Sequence, residues 1–310
     1  MHPNVMCGGL VTDFGSVHEG LSEPAWKALQ DAATAGLLDR TDVIETIDTR
    51  DRAANIAALA SQGYEIIVTI GEGSADETIA AAQRFPNTRF IGVQQSLRDQ
   101  PTAGNYASLV FHEEQSGFIA GALAGLVSET GRVAAVCESR FLDSIRGYCD
   151  GYAQGVEYTN PGAQVDIAFR TGSEELLFRD EEWGREAALQ AVERGADVVF
   201  AVGGDTAEAA LRAAASRGVL LIGAETDLHA AIPEIAPQLI TSAILDVRTG
   251  VLGLIQDAVS GGFHPGEHAG GAALAPFRDM ADQLTPDVLA QVSEITSGVQ
   301  SGSIRVEVSQ

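Results

Sequence analysis

Short apolar runs rich in β-branched residues alternate along this chain with amphipathic helical patterns. This alternation is typical of βαβ units and predicts an α/β fold with parallel sheets, in which a helix follows each strand. The predicted strands are Val5–Val11, Val43–Ile47, Ile66–Ile70, Phe90–Val93, Ser108–Phe111, Val133–Val136, Val165–Phe169, Val198–Val202, Leu220–Gly223 and Ile240–Ala243.

Three helix starts carry capping patterns. Ser22 is the expected N-cap of the first helix, because it stands just before an apolar face of helical spacing. A capping box begins at Ser74, and Asp205 is expected to cap a helix that ends at Gly218.

The two halves of the strand series resemble each other. The segment QGYEIIVTIG parallels RGADVVFAVG, so that Gly63 and Gly195 lie 132 positions apart, and Gly92 and Gly223 lie 131 apart. A near-constant offset over several elements predicts two similar α/β lobes. We assign residues 1–112 and about 245–275 to lobe 1, and residues 113–244 and about 276–310 to lobe 2.

A helix is predicted between the lobes, in the run HEEQSGFIAGALAGL that covers residues 112–126. Gly117, Gly121 and Gly125 share one face of this helix. The run is too short to span a membrane, so we expect this glycine face to pack closely against a sheet.

Charge and composition exclude several classes of protein. With 19 Lys and Arg against 43 Asp and Glu, the net charge is −24, which repels nucleic-acid phosphates and anionic lipid surfaces. No apolar run reaches membrane-spanning length and no signal-peptide pattern is present, so the sequence is interpreted as a mature or trimmed form that leaves export open. The three cysteines lack metal-ligand spacing, and Cys7 and Cys137 are expected to be small buried apolar residues.

Polar residues and glycines follow the predicted strands. In open parallel sheets the ligand binds at the carboxyl edge, so these residues together predict a polar cleft, although each can also serve as a cap or turn. They are Asp13, Gly71 to Ser74, Gln94, Gln95, Glu138, Ser139, Gly203 to Thr206, and Glu225 to Asp227.

A catalytic constellation is not found in the sequence. It contains no nucleophile elbow, Walker A loop or complete dinucleotide fingerprint, so we expect no catalytic residue, no metal and no cofactor. The carboxylates of Glu225 and Asp227 are suited either to acid–base chemistry or to binding a diol or an amine.

A set of short segments, spread in order along nearly the whole chain, matches one known family. The segments are LVTD at 10–13 with Ala25-Trp26, Asn55-Ile56 through Ile67, NYASLVF at 105–111 with Glu113-Glu114, GALAG at 121–125, LAPF at 274–277 and GSIRV at 302–306. Together they resemble the basic membrane protein, or purine nucleoside receptor, family of ABC-transporter substrate-binding lipoproteins. This resemblance implies a type I periplasmic binding fold, with two Rossmann-like lobes, parallel sheets and a three-strand hinge. Members of the family hold purine nucleosides between the lobes and pass them to a permease.

The resemblance also implies ligand contacts. Asp13 matches the family's acid after the first strand, and Phe178 matches the aromatic residue that stacks on the base. Gln94 stands where an Asp often contacts the base, and Glu225 stands where an Asp binds ribose hydroxyls. The full implied set is Asp13, Leu21, Ser22, Gln94, Phe178, Gly204, Asp205, Glu225 and Asp227.

Some of these positions depart from the family pattern. Where the family has Ser-Phe-Asn, this chain has Gly20-Leu21-Ser22, so a leucine replaces a stacking ring. Leu245 stands where a lysine commonly contacts the sugar, and the missing cation disfavours phosphorylated ligands. Each lost stacking face forfeits about 1–3 kcal/mol, so the expected ligand is nucleoside-like rather than a standard nucleoside.

These patterns predict the solute-binding component of an ABC importer, which closes by a hinge on a purine nucleoside or nucleobase-like molecule. We expect a monomer that is extracytoplasmic, either periplasmic or lipid-anchored, and that meets a membrane permease. Three alternatives stay open: a binding protein for a sugar or polyol, a nucleoside hydrolase that uses Asp13 and Glu225, and a cytoplasmic ligand-sensing regulator core.

Overall fold

The computed structural model describes residues 5–18, 20–97 and 103–307. The chain forms two compact units. Unit 1 comprises Met1–Phe111 and Asp246–Gly271, and unit 2 comprises His112–Leu245 and Ala272–Gln310. The chain therefore passes from one unit to the other three times along its length.

Strands and helices alternate through most of the described chain. In chain order the strands are β1 (Cys7–Val11), β2 (Arg40–Ile44), β3 (Ile66–Ile70), β4 (Arg89–Val93), β5 (Tyr106–Val110), β6 (Arg132–Cys137), β7 (Gln164–Phe169), β8 (Val198–Val202), β9 (Leu220–Glu225), β10 (Leu239–Asp246), β11 (Gly266–Ala269) and β12 (Gly271–Leu274). The helices are α1 (Ser22–Thr34), α2 (Arg52–Ser61), α3 (Ala75–Arg84), α4 (Glu113–Val127), α5 (Asp143–Thr159), α6 (Glu181–Glu193), α7 (Gly204–Ala215), α8 (Leu228–Ala231), α9 (Val247–Ser260) and α10 (Pro286–Gln300).

Each unit is built on a six-stranded sheet with the same arrangement. The strand order is β11-β5-β4-β3-β1-β2 in unit 1 and β12-β10-β9-β8-β6-β7 in unit 2. The neighbouring strands from β2 to β11 are parallel, as are those from β7 to β10. In β3 and β8 every residue is buried, which is why the residues of these strands are apolar except for Thr69. The predicted α/β class and the pair of similar lobes are confirmed.

The boundaries of β2 differ from the prediction. This strand covers Arg40–Ile44, three residues before the predicted start. Beyond it, the Thr46 N–H donates to the Thr12 hydroxyl at 2.8 Å, and Ile47 is 85% exposed. The apolar residue Ile47 therefore lies outside the sheet.

Of the three capping predictions, the one for α3 is correct in position, and those for α1 and α7 were wrong. The N-cap of α1 is Leu21, with Ser22 as the first helical residue. Ser74 occupies the N-cap position of α3 as predicted, but its hydroxyl donates to Asp13 Oδ1 at 3.0 Å and not to the backbone of the helix. Helix α7 begins directly after Gly203, whose φ of 118° turns the chain out of β8. Asp205 is therefore the second residue of the helix and not its cap, and it is exposed. That helix ends at Ala215, before Gly218.

The glycine face of α4 packs against a helix and not against a sheet. A Cβ on Gly117 or Gly121 would overlap the backbone carbonyl oxygens of Tyr148 and Tyr152 on α5. The reciprocal positions Gly151 and Gly155 on α5 meet the backbone of α4 in the same way. Glycine on both helices lets the two backbones approach each other, which the sequence of α4 alone did not reveal.

Cys137 is not a free apolar residue. It forms a disulfide with Cys149, and the two Cα atoms lie 6.6 Å apart. The bond ties the end of β6 to α5, and both residues are fully buried. Cys7 is a free, half-buried cysteine in β1.

Within the described segments, the helices lack the combination of length and apolar character that crossing a membrane requires. The same residues hold no cluster of His, Cys, Asp and Glu suited to a metal ion.

Candidate functional site

Each sheet has one place where the strand order reverses. In unit 1 it lies between β1 and β3, and in unit 2 between β6 and β8, because the chain crosses from one side of the first strand to the other. The carboxyl ends of the strands at such a switch point open the crevice in which α/β sheets bind ligands. The candidate sites therefore lie at these two edges, one in each unit.

The edge of unit 1 is organised around Asp13. The Asp13 carboxylate accepts from Arg52 Nη2 at 2.6 Å, and Arg52 Nε donates to the Asp13 carbonyl oxygen at 3.2 Å. The Ser74 hydroxyl also donates to this carboxylate. The side chains of Asp13 and Arg52 remain 31% and 17% exposed, so this pair is held by the protein and still reachable from solvent.

Two glycines make room for this pair. A Cβ at Gly71 would lie 2.9 Å from Asp13 Oδ2, and one at Gly73 would lie 2.7 Å from Arg52 Nη2. Gly71 also adopts a φ of 82°, which favours glycine. The Gly-x-Gly sequence after β3 is thus explained by the close approach of an acid and a guanidinium.

The other predicted ligand contacts of unit 1 are Gln94, Leu21 and Ser22, which follow β4 or begin α1. Gln94 follows β4 with a φ of 55°, and its side-chain oxygen accepts from the Phe111 N–H at 3.2 Å. Leu21 is half-buried at the start of α1, and Ser22 is buried. Gln95, by contrast, is a core residue, bonded to Tyr106 and Thr69.

The edge of unit 2 brings together Phe178, Gly204 and Glu225. A Cβ on Gly204 would lie 3.0 Å from both the Cβ and the carbonyl oxygen of Phe178, so the phenylalanine sits directly on the start of α7. The Glu225 carboxylate faces the backbone N–H groups of Gly204 and Gly203, which favour its charged form. Desolvation by the surrounding protein outweighs this effect and raises the pKa of Glu225 above its usual value. An aromatic face and a carboxylate therefore flank the same helix start.

Asp227 is engaged by its own neighbours. It caps α8 by accepting from the His229 N–H at 3.3 Å, and Arg278 forms a fork with both carboxylate oxygens. Desolvation acts to raise the pKa of Asp227, but the Arg278 hydrogen bond holds it below its usual value. Asp205 is exposed on α7.

Three arginines at these edges were not predicted from the sequence. Besides Arg52 and Arg278, Arg170 follows β7 and pairs with the buried Glu138, which follows β6. The position directly after a strand was the available signal for Arg170, just as it was for Glu138. Arg52 stands at the start of a helix, where its sequence neighbours gave no indication. The two edges thus contain cations even though Leu245 replaces the family's lysine. Each of these arginines, however, already pairs with a carboxylate.

The comparisons with known proteins agree with this architecture. The Bmp family profile, described as ABC transporter substrate-binding protein PnrA-like, matches residues 15–270. The CD4+ T-cell-stimulating antigen of Listeria monocytogenes is 25% identical over 96% of this chain and 87% of its own length. The ABC transporter nucleoside-binding protein BmpA of Lactococcus lactis is 27% identical over 63% of this chain and 54% of its own length.

A solved structure supports the fold independently. The ABC transporter solute-binding protein from Conexibacter woesei superposes with a TM-score of 0.82 and 21% identity, covering 98% of this chain and 99% of that one. This likeness confirms the type I periplasmic binding fold. The match over residues 15–270 shows the family as well, and with it a binding role rather than an enzymatic one. The chain belongs to the Bmp family of PnrA-like ABC transporter substrate-binding proteins, which carry a small molecule to a membrane permease.

Proposed function

We propose that this protein binds a nucleoside-like molecule, a purine nucleoside or nucleobase, and delivers it to an ABC permease. The observation that carries the proposal is the edge of unit 2, where Phe178 and the Glu225 carboxylate flank the start of α7. An aromatic face suits a heterocyclic base, and a carboxylate suits a vicinal diol. The relative from Lactococcus lactis, named a nucleoside-binding protein, supports the same ligand class.

Each unit contributes a different chemistry to this proposal. Unit 2 offers Phe178 and Glu225, with Gly204 between them, while Asp205 and Asp227 are the outer candidates. Unit 1 offers Asp13, which Arg52 orients, while Gln94, Leu21 and Ser22 remain proposed contacts. Carboxylate and amide groups select hydrogen-bond donors on a ligand, and the aromatic ring selects a flat one.

The proposed mechanism is hinge closure by a monomer. Ligand contacts drawn from both units favour a closed arrangement, and the permease distinguishes this arrangement from the open one. Small-angle X-ray scattering should then show a smaller radius of gyration when the ligand is added, with a molecular mass that corresponds to one chain. An unchanged scattering curve at saturating ligand would exclude closure.

A thermal-shift screen with adenosine, guanosine, hypoxanthine, ribose and ribitol tests the ligand class. A ligand at 100 times its dissociation constant should stabilise the protein by about 2.7 kcal/mol. Phe178→Leu keeps an apolar side chain but removes the aromatic face, so it should weaken nucleoside binding about 5- to 150-fold. Tyr158→Leu is the matched control, because it also replaces an aromatic ring of unit 2 by leucine, and Tyr158 is 55% exposed near the end of α5, opposite to the carboxyl edge of the sheet.

Each result of the screen has a defined meaning. Stabilisation by adenosine or hypoxanthine supports the proposal. Stabilisation by ribose or ribitol alone would replace it with a sugar- or polyol-binding function. Release of free base during incubation with a nucleoside would overturn the binding role itself.

We also propose an extracytoplasmic location, periplasmic or lipid-anchored. The Cys137–Cys149 disulfide supports it, because such bonds persist in oxidising compartments and are rare in the cytosol. Fractionation of cells that express the native gene, with alkylation to trap free thiols, tests the location. A cytosolic, fully reduced product would favour the regulator alternative.

A further inference from the structure

A buried ion pair lies at the carboxyl edge of unit 2, beside the switch point. Glu138 follows β6 and Arg170 follows β7, and Arg170 Nε donates to Glu138 Oε1. The two side chains are 0% and 2% exposed. Backbone bonds fix both residues to the sheet, from the Glu138 N–H to the Val202 carbonyl at 3.1 Å and from the Arg170 N–H to the Cys137 carbonyl at 3.0 Å.

The remaining arms of Arg170 reach the loop that carries Phe178. Nη2 donates to the Ser173 carbonyl at 3.0 Å, and Nη1 lies 3.4 Å from Asp180 Oδ2. Asp180 in turn caps α6 by accepting from the Trp183 N–H. One guanidinium therefore holds the loop at both of its ends, on either side of Phe178.

Phe178 needs such support. Its φ is 63°, a left-handed conformation that a bulky residue adopts only when its surroundings enforce it. The backbone on either side of it is bound to α7, since the Thr206 N–H donates to the Phe178 carbonyl and the Asp180 N–H donates to Thr206 Oγ1. These bonds fix the loop to the helix, and Arg170 fixes it to the sheet.

We propose that the Glu138–Arg170 pair is a positioning device for Phe178, which sets the aromatic ring against Gly204. Removing the pair releases the loop and weakens the contact with the flat part of the ligand. The expected effect on ligand binding rests on the proposed function. The expected effect on the loop that carries Phe178 rests only on contacts within unit 2.

The composition of the pair supports a positioning role over a stabilising one. A buried ion pair gives little stability relative to apolar residues of similar size. Glu138 Oε2 is buried and has no hydrogen-bond partner within the described structure, which is a further cost to stability. An apolar pair could not replace the two N–H groups with which Arg170 donates to the Ser173 carbonyl and to the Asp180 carboxylate.

The test replaces the pair without leaving a lone buried charge. Glu138→Leu/Arg170→Met fills the space with apolar side chains, and Arg170→Lys is the second variant, which keeps the cation near Glu138 but lacks the fork. Arg194→Met is the matched control, since it removes an ion pair with Asp166 that is about half-exposed in the same unit. Hydrogen exchange by mass spectrometry, without any ligand, follows the amides of residues 173–180.

We expect exchange in residues 173–180 to rise at least about tenfold in both pair variants and to stay unchanged in the control. Adenosine affinity should fall about 5- to 150-fold, the value of one stacking contact, while ribose affinity changes less than twofold. A general structural defect would reduce both affinities together. Unchanged exchange in the loop, or equal losses for adenosine and ribose, would overturn the inference.

The inference and the proposed function fail separately. If the wild-type protein binds none of these compounds, the proposed ligand class is wrong, and hydrogen exchange alone decides the positioning role. If adenosine binds and the loop exchanges at the wild-type rate in both pair variants, the ligand class stands and the positioning role is wrong.

Discussion

Both units place an acid at the switch point of their sheet and pair it with an arginine, but the two pairs differ in exposure. In unit 1 Asp13 and Arg52 are 31% and 17% exposed, and Ser74 shares the carboxylate. In unit 2 Glu138 and Arg170 are sealed from solvent. The two units thus share a strand order but differ in what the acid–arginine pair can do. An exposed pair can contact a ligand directly, whereas a buried pair can affect ligand binding only through the segments that it bonds.

Arg170→Met should have the largest effect of the predicted changes. It leaves the Glu138 carboxylate buried without a partner, which typically costs about 3–5 kcal/mol of unfolding free energy. Arg52→Met should cost about 1 kcal/mol or less, because Asp13 keeps the Ser74 hydroxyl and contact with solvent. Urea denaturation followed by circular dichroism measures both values.

The double variant Glu138→Leu/Arg170→Met serves as the control for this comparison. It removes the buried charge as well, so it should recover most of the stability that Arg170→Met loses. Equal costs for Arg52→Met and Arg170→Met would show that burial does not distinguish the two pairs.

The disulfide is a second difference between the units. Cys137 and Cys149 are separated by 12 positions in unit 2, whereas Cys7 of unit 1 is unpaired. Cys137→Ala/Cys149→Ala should lower the free energy of unfolding by about 2–4 kcal/mol, since it frees the unfolded chain from a closed loop. Dithiothreitol should destabilise the wild type and leave this variant unaffected. An equal response of both proteins to the reductant would contradict the prediction.

The glycines that follow β3 and β8 extend the comparison. Gly203 has a φ of 118° and an added Cβ would overlap the Glu138 Cβ, while Gly71 has a φ of 82° and an added Cβ would lie 2.9 Å from Asp13 Oδ2. Gly203→Ala should therefore cost about 2–3 kcal/mol and Gly71→Ala about 1–2 kcal/mol. Thermal denaturation of the two variants gives this order. Gly218→Ala is the control for φ alone, because an added Cβ there meets open space.

Most of the fold could be predicted from the sequence because the buried strands carry their own signal. The runs of β3 and β8 are apolar at every position except Thr69, so their place in a parallel sheet needs no tertiary information. The short strands β11 and β12 were missed, since GEHA and GAAL have neither the length nor the composition of a strand. Local sequence also could not show that the Ser74 hydroxyl bonds to Asp13, which lies 61 residues away, and not to the start of α3.

The candidate site was less predictable than the fold. Residues directly after strands, such as Asp13 and Glu225, were found from the strand ends. Arg52 was not, because it reaches the site from a helix that follows another strand. The Cys137–Cys149 bond was missed because the pairing depends on how α5 packs on its sheet, which local sequence does not specify.

The smallest expected effect concerns two exposed forks, one in each unit. Arg278 bonds both oxygens of Asp227 in unit 2, and Arg248 bonds both oxygens of Asp31 in unit 1. In Asp31 the Arg248 hydrogen bond lowers the carboxyl pKa, and in Asp227 the Arg278 bond lowers it against desolvation. Because the folded pKa is below the usual 3.8, each pair stabilises the protein above that pH and loses its effect as the pH falls through the folded value.

Asp227→Asn and Asp31→Asn test whether exposure, and not the identity of the unit, sets the size of such effects. Asparagine keeps the oxygen that caps α8, so Asp227→Asn removes the charge while the cap remains. Each variant should be slightly less stable than the wild type at neutral pH, and the difference should vanish below the folded pKa. Urea midpoints measured across this range give the comparison. A loss in Asp227→Asn as large as that of Arg170→Met would mean that exposure does not govern ion-pair strength in this protein.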